Sequence, residues 1–273
     1  MRGSRKAPSA IPPAPRARYW DGVARECQQT RPEFLFRIHA DQVNSRLFAG
    51  WLPEERAGRV LKTDLFDEAF GSGLYPLLGS RAQSVTGIDV SRTVVLAARE
   101  RYGELRAAAA DVRDLPFADR TFDVIVSDST LDHFESAAEI ISSLRELHRV
   151  LRPGGELLLT LDNPANPVVA LRKLLPFKIW NRLGLLRYYV GATLGVRRLR
   201  RLLPRLGFRV HEMRAVMHCP RTFAMPAARL LDKYAGPRTQ RCFLLWLISF
   251  ERLARWPTRF LTGHFVAAKA TKC

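Results

Sequence analysis

Four carboxylates fall where an apolar run gives out: Asp64 or Asp67 after the first run, then Asp89, Asp111 and Asp128 after the next three. An aspartate at such a place commonly caps a turn or the following helix. Four in chain order, with Gly71-Ser72-Gly73 behind the first, also read as a row of strand-end acceptors facing one ligand. Asp89 lies sixteen residues beyond Gly73, where a carboxylate ending a second strand can accept two hydrogen bonds from a ribose diol. A dinucleotide would need a G-x-G-x-x-G turn that presses its pyrophosphate onto a helix N-terminus. In "GSGLYP" the third glycine is replaced by Pro76. Proline suits a first helical turn, but it removes an N–H and fills the space a phosphate would want. There is no Walker loop either, so the expected ligand is nucleoside-like and free of pyrophosphate.

Acid–base chemistry has its nearest candidates in "SDSTLDHF", where Asp132 adjoins His133. A general base is needed only when the group attacked is a weakly acidic hydroxyl, an amine or a carbon acid. The alternative is a helix start in which Asp132 caps and His133 packs. His39, His211, His218 and His264 could each reach a cleft or serve the core. Cys27, Cys219, Cys242 and Cys273 are dispersed without a Cys-x-x-Cys pair, so a reduced, cytoplasmic protein with no metal is expected.

The elements that must position these residues follow from periodicity. Strands are expected at 59–64, 84–89, 105–111, 121–128 and 155–162, with helices at 73–80, after Ser91 and across "SAAEIISSLRELHRVL". Such alternation builds a parallel sheet, since right-handed crossovers need a helix of that length. Ligands then lie at the carboxyl ends of the strands, where strand order reverses. Before the sheet, 33–52 reads as an N-terminal helix, and 1–18, basic and proline-rich, as a disordered tail. After it come an acid-free stretch at 163–206, two last strands in "LGFRVHEMRAVM" and "TGHFVAAKAT", and helical material at 223–234 and 240–255. One α/β domain over 19–273 accounts for the chain.

The net charge of +18 is confined: 1–18 carries five Arg and Lys, and 163–211 carries eleven, neither with an acid. A surface built throughout for nucleic acid would be basic over its globular part. The apolar run "CFLLWLISF" stops at Glu251, far short of the ~20 residues that span a bilayer.

"DEAFGSG", "VTGIDVS", "ADVRDLPFADRTFDVIVSDSTLDHF" and "ELHRVLRPGGELLLTLDNP" together resemble the class I S-adenosylmethionine-dependent methyltransferases. The resemblance is greatest to the branch similar to ubiquinone and menaquinone biosynthesis methyltransferases, and it covers roughly 59–165. It implies a Rossmann-like, doubly wound seven-stranded sheet whose last strand is antiparallel, with S-adenosyl-L-methionine as cofactor. It also implies that Gly71 and Gly73 turn beside the methionine part, with Asp89 on the ribose and Val90 beside the adenine. Asp111 would accept from the adenine amino group, Val112 would offer a backbone N–H, and Ser127 and Asp128 would line the methionine end. The chain departs from the family motif at Ala69, where the first glycine of Asp-x-Gly-x-Gly-x-Gly would stand; a position needing positive φ would force a rebuilt turn. Register decides whether Asp64 or Asp67 is the strand-end carboxylate. Lys62 favours Asp64, because a strand running on to Asp67 buries that ammonium in mid-strand.

Methyl transfer from a sulfonium is one in-line displacement that depends on alignment and exclusion of water. The acceptor implied is a small or amphiphilic molecule taking the methyl on O or C. The Arg- and Leu-rich 163–206 suits docking on an anionic membrane, gripping an anionic substrate, or a solvated arginine face over a leucine core. A protein that is cytoplasmic or membrane-peripheral fits these features. An RNA-directed or RNA-binding protein on the same fold, and a cofactor-binding scaffold without turnover, are the alternatives.

Overall fold

The computed structural model describes residues 13–30, 34–172, 177–182 and 188–273. One seven-stranded sheet organises them: β1 (Ala57–Lys62), β2 (Ala82–Asp89), β3 (Arg106–Ala109), β4 (Phe122–Asp128), β5 (Leu151–Asp162), β6 (Phe208–Val216) and β7 (Phe265–Lys272). Their order is β3-β2-β1-β4-β5-β7-β6. The first five strands are mutually parallel, and β7 runs antiparallel between β5 and β6. The doubly wound sheet with an antiparallel last strand is therefore present, and its order reverses between β1 and β4.

The central strands read as apolar runs because both faces are covered. Leu157, Leu158, Leu159 and Leu161 of β5 are fully buried. On one face lie α2 (Phe34–Ala49), α5 (Arg92–Arg101), α10 (Arg221–Tyr234) and α11 (Pro237–Ser249). On the other lie α6 (Ala137–Val150) and α9 (Val196–Arg205). Local sequence starts these helices where expected. Ser91 caps α5 by accepting from Val94 N at 3.2 Å, and Ser136 and Glu139 form a reciprocal capping box on α6. The helical intervals of α6 then bury Ile140, Leu144 and Leu147 against β4 and β5. Shorter helices fill the joins: α3 (Phe66–Phe70), α4 (Tyr75–Arg81), α7 (Pro167–Arg172), α8 (Phe177–Arg182) and α12 (Arg259–Thr262).

Two expectations change. Helix α1 (Pro13–Thr30) begins inside the stretch read as a disordered tail, of which residues 1–12 lie outside the described residues. It is tied down by polar contacts that leave no apolar periodicity to read. Arg16 pairs with Glu139 at 3.0 Å, and Asp21 accepts from Ser91 Oγ and Thr93 N at the start of α5. Second, β1 ends at Lys62 itself, and Lys62 is buried at 2% exposure. Its ammonium lies 2.9 Å from the fully buried Glu68 carboxylate and donates to the Asp64 carbonyl. Burial of Lys62 therefore does not decide between the two aspartates. In the 163–206 stretch, residues 173–176 and 183–187 lie outside the described residues, and α9 turns Leu199 and Leu203 inward with its arginines in solvent.

Candidate functional site

A cavity of about 210 Å3 opens at the carboxyl ends of the strands, at the point where their order reverses. Strand ends and the turns after them contribute Asp64, Asp89, Asp111 and Asp128; α3 contributes Asp67; α2 contributes Phe36, Arg37, Ala40 and Asn44; α1 contributes Arg16 and Trp20. The chain between β1 and α3 is folded down onto β2. Leu65 packs so closely over Gly87 that any side chain there would collide with it. That approach lets Leu65 N donate to Asp89 Oδ2 at 3.2 Å, while Ser91 N donates to Oδ1 at 2.8 Å. Asp64 Oδ1 accepts from Phe66 N at 2.7 Å, which starts α3.

The cavity is short of cations. Burial and the neighbouring Asp64 push Asp89 up to about 7, and burial pushes Asp128 up to about 7 against a hydrogen bond from Thr160 and the charge of the more distant Lys62. Asp64 is raised by burial as well. Asp128 also accepts from Asn44 Nδ2 at 2.6 Å. Five aspartates line the cavity against Arg16, Arg37 and Arg221; Arg16 is paired with Glu139 and Arg37 with Asp67 at 2.8 Å, and the nearby Lys62 is held by Glu68. Asp111 differs. Burial would raise it, but the Arg113 guanidinium grips both its oxygens and brings it net downward.

A second cavity of about 310 Å3 adjoins the first across a wall made by Phe66, Ser129, His133, Tyr188 and Arg221. Its lining is mainly apolar, from Val168 and Leu171 of α7, Trp180 of α8 and Pro226 of α10, with Met225 shared with the first cavity. Asp162 and His264 close its floor: Asp162 is paired with Arg172 and lies 3.4 Å from His264, and burial lowers His264 to about 4. Arg221 makes no ion pair among the described residues; its guanidinium lies between the rings of Phe36 and Phe265, at 5.4 and 5.3 Å. On the shared wall, His133 Nδ1 lies 2.8 Å from the Tyr189 carbonyl, which can only accept, so Nδ1 is the donor there and in the neutral ring the lone pair falls on Nε2. Asp132 Oδ2 accepts from Ser129 Oγ and Asp162 N, whereas its buried Oδ1 has no hydrogen-bond partner and lies 3.8 Å from His133 Nε2.

Residues 66–159 match the family model described as a methyltransferase domain. The human protein named "Probable tRNA methyltransferase 9B" is 34% identical over 109 residues, 40% of this chain and 22% of its own. The demethylmenaquinone methyltransferase of Chlorobaculum parvum is 33% identical over 119 residues, 42% of this chain and 47% of its own. The chain thus spans less than half the length of either relative. Among solved structures, an S-adenosylmethionine-dependent methyltransferase from Thermotoga maritima superposes with a TM-score of 0.59 at 16% identity, over 94% of this chain and 99% of its own. The chain carries a methyltransferase domain over 66–159, on the fold of the S-adenosylmethionine-dependent methyltransferases.

Within this methyltransferase domain, Asp64, Asp67, Asp89, Val90, Asp111, Val112 and Asp128 come together on the first cavity, and His133 joins them on its wall. Both candidate first-strand aspartates line it. Asp132 lines the second cavity only. The glycine turn and Ser127 are placed differently from the expectation. Ser127 is fully buried beside Thr63, whose Oγ1 donates to it at 3.0 Å, because successive strand residues face opposite sides and Asp128 takes the cavity side. Gly71 and Gly73 lie beyond α3, outside this cavity. The amides after Gly71 are taken by the protein's own carboxylates: Ser72 N and Gly73 N donate to Asp41, Leu74 N and Tyr75 N to Glu68. Gly73, at φ +59°, is needed because a Cβ would sit 2.6 Å from the Glu68 carboxylate. Ala69 is an ordinary helical residue of α3 outside the positive-φ region, so its lack of glycine strains nothing.

Of the remaining histidines, His39 is fully buried without a partner, His211 bonds Thr271 at the sheet edge, and His218 bonds Thr262. Sequence reasoning missed Asn44, Arg37, Ser129 and Arg221. Ser129 has a signal of a kind, following the β4 carboxylate at φ +51°, where non-glycine residues gather at functional turns. Arg37 and Arg221 lie on helices remote in sequence from the strand ends, and nothing in their spacing marks them.

Proposed function

We propose that the chain transfers a methyl group from S-adenosylmethionine to O or C of a small or amphiphilic acceptor. The observation that carries this reading is the meeting of two cavities, one acid-lined and short of cations, one apolar, across a wall that includes His133. The first suits the cofactor by its donor set. Among the described residues Asp89 accepts two hydrogen bonds, which leaves capacity for a ribose diol. Val90, Asp111 and Val112 would flank the adenine, and Asp64, Asp67 and Asp128 would surround the cationic methionine end. The cofactor supplies the electrophilic methyl; alignment and exclusion of water are the protein's part. Trp20, Phe66 and Tyr188 close the chamber walls around His133. His133 Nε2, as the unprotonated nitrogen, would take the acceptor's proton, and the unpartnered Asp132 Oδ1 would steady the imidazolium so formed.

The apolar lining favours a lipid-like acceptor over a polar one, and the relative named as a demethylmenaquinone methyltransferase is in keeping with it. Contact with a membrane through 163–206 belongs to the same reading. The relative named for tRNA keeps an RNA-directed reading in view. Methyl transfer from labelled cofactor into a lipid extract, a polar extract and RNA tests the choice, with S-adenosylhomocysteine binding measured alongside. Label in the lipid extract is expected; label in RNA alone would overturn the proposal, and no binding at millimolar S-adenosylhomocysteine would favour a scaffold without turnover.

A further inference from the structure

The stretch 221–262 carries eight Arg and Lys against two acids. Both acids are turned inward: Asp232 accepts from Leu35 N at the start of α2, and Glu251 accepts from Met217 N and His218 N at the end of β6. The outward charge is therefore wholly basic, with Lys233, Arg238, Arg241, Arg252, Arg255 and Arg259 exposed. Apolar side chains are exposed among them. Helix α10 buries Ala224 and Ala228 against the body and turns Phe223 (74% exposed), Leu230 (61%) and Tyr234 (73%) to solvent on the opposite stripe. Leu245 and Trp246 of α11 are exposed, as are Trp256 and Leu261 around α12. A helix apolar on its outer face as well as its inner one lacks a covering partner.

The geometry points to this face, α10 to α12, as a docking surface for an anionic lipid bilayer, which presents the acceptor chamber to the membrane. This rests on the proposed methyltransfer to a lipid-like acceptor and names where that acceptor enters. Arginine and lysine interleaved with Trp, Phe and Leu is the chemistry of an interfacial anchor: cations for the headgroups, apolar side chains for the acyl boundary. The chamber is continuous with the surface, since Thr222, Pro226 and Arg229 of α10 line it, and Val168 and Leu171 of α7 line it while being about half exposed. Helix α9, the most arginine-rich segment, shows no exposed large apolar residue among the described residues and so lacks the second half of that chemistry. A second copy of the chain is disfavoured because a two-fold contact would set like charges together. RNA would use the arginines but leaves Leu230, Leu245 and Leu261 without a role.

Vesicle flotation of the full chain tests this without requiring turnover. Vesicles of phosphatidylcholine alone, and with phosphatidylglycerol as about a third of the lipid, supply the two surfaces. Binding to the anionic vesicles and none to the neutral ones is expected. Paired Arg238→Gln and Arg241→Gln should weaken it about 25-fold, from about fivefold per surface cation. Paired Phe223→Ser and Leu230→Ser should weaken it at least about tenfold. S-adenosylhomocysteine affinity, unchanged in both variants, verifies their folding. No flotation of the wild type, or flotation indifferent to the Phe223 and Leu230 changes, overturns the inference, as does a self-association or RNA binding lost on the same substitutions while vesicles are ignored. Methyl transfer to a detergent-dispersed lipid extract that persists without vesicle binding would sink only this inference and leave the proposed function standing.

Discussion

Asp89 is the residue on which cofactor binding should depend most visibly, and its surroundings turn that into a pH experiment. Its carboxylate accepts from Leu65 N and Ser91 N, and burial beside Asp64 pushes it up to about 7. A ribose diol donates hydrogen bonds and so binds the ionised form. The affinity for S-adenosylhomocysteine should therefore follow the ionised fraction, about 0.9 at pH 8 and about 0.1 at pH 6 for such a group. The dissociation constant is expected to rise about tenfold between those pH values, measured by calorimetric titration. Asp89→Asn removes both the charge and this dependence. Losing charge-assisted hydrogen bonds, each about 1.5–3 kcal/mol, predicts binding about 10- to 100-fold weaker at pH 8. Asp128 is pushed up to about 7 as well, so Asp128→Asn is the necessary companion. A wild-type affinity flat between pH 6 and 8, or an Asp89→Asn protein that keeps the full slope while Asp128→Asn loses it, would refute the assignment of the diol to Asp89.

His133→Gln should lower kcat about 10²- to 10⁴-fold with the S-adenosylhomocysteine dissociation constant within about threefold of wild type, checked by initial rates on the acceptor found. Glu68→Gln leaves the buried Lys62 ammonium uncompensated and should cost about 3–5 kcal/mol in urea unfolding, most of it recovered by adding Lys62→Met. The stability of the ligand-free protein should rise as pH falls from 8 to about 6.5. Asp89, Asp128 and Asp132 are raised in the folded state, to about 7, 7 and 6, so what they contribute is lost as pH rises through those values. Below about 6 the buried His39 and His264, both lowered to about 4, oppose the gain, and thermal melts across pH 5–8 should show a maximum on the acid side. Gly73→Ala should destabilise the fold by about 1–3 kcal/mol, through positive φ and collision with Glu68, while S-adenosylhomocysteine affinity of the folded fraction stays within about twofold; a tenfold loss of affinity at unchanged stability would return the turn to the cofactor.

The sheet was legible because its signals are local. Alternating apolar runs and helical intervals locate β1 to β5, and Ser91 and Ser136 announce their helices. Asp89 was legible for the same reason, as a strand-end carboxylate with a cap two residues on. What escaped was made by tertiary contact. A lysine ending a strand carries no mark that a glutamate six residues later will neutralise it, so Lys62 argued for the wrong criterion. The glycine turn looked like a ligand site because its amides are free in sequence, yet Asp41, about thirty residues earlier, occupies two of them. The second chamber is assembled from α7, α8 and α10, each unremarkable alone. Exposure of Phe223, Leu230 and Trp246 was not legible either, because it depends on which side of α10 and α11 meets the body.

The charge of the first cavity bears on turnover as well as binding. Asp64, Asp89 and Asp128 are all raised, chiefly by burial and by one another, which means that each ionises there at a cost its surroundings do not fully offset. Lys62 and Arg37 cannot relieve it, because Glu68 and Asp67 already hold them. A ligand end that carries a sulfonium and an ammonium beside its one carboxylate would offset that cost, and its binding should lower all three pKa values together. Loss of the methyl would remove the sulfonium charge and leave the ammonium, so the carboxylates of this cavity would be expected to hold the product less tightly than the cofactor, a difference that paired titrations with S-adenosylmethionine and S-adenosylhomocysteine at pH 8 would measure. Had the turn after β1 kept the glycine form, its amides would grip cofactor and product alike. Helix α3 stands in its place, started by Asp64 and anchored by Glu68 on Lys62, and the carboxylates around it would distinguish the two by charge.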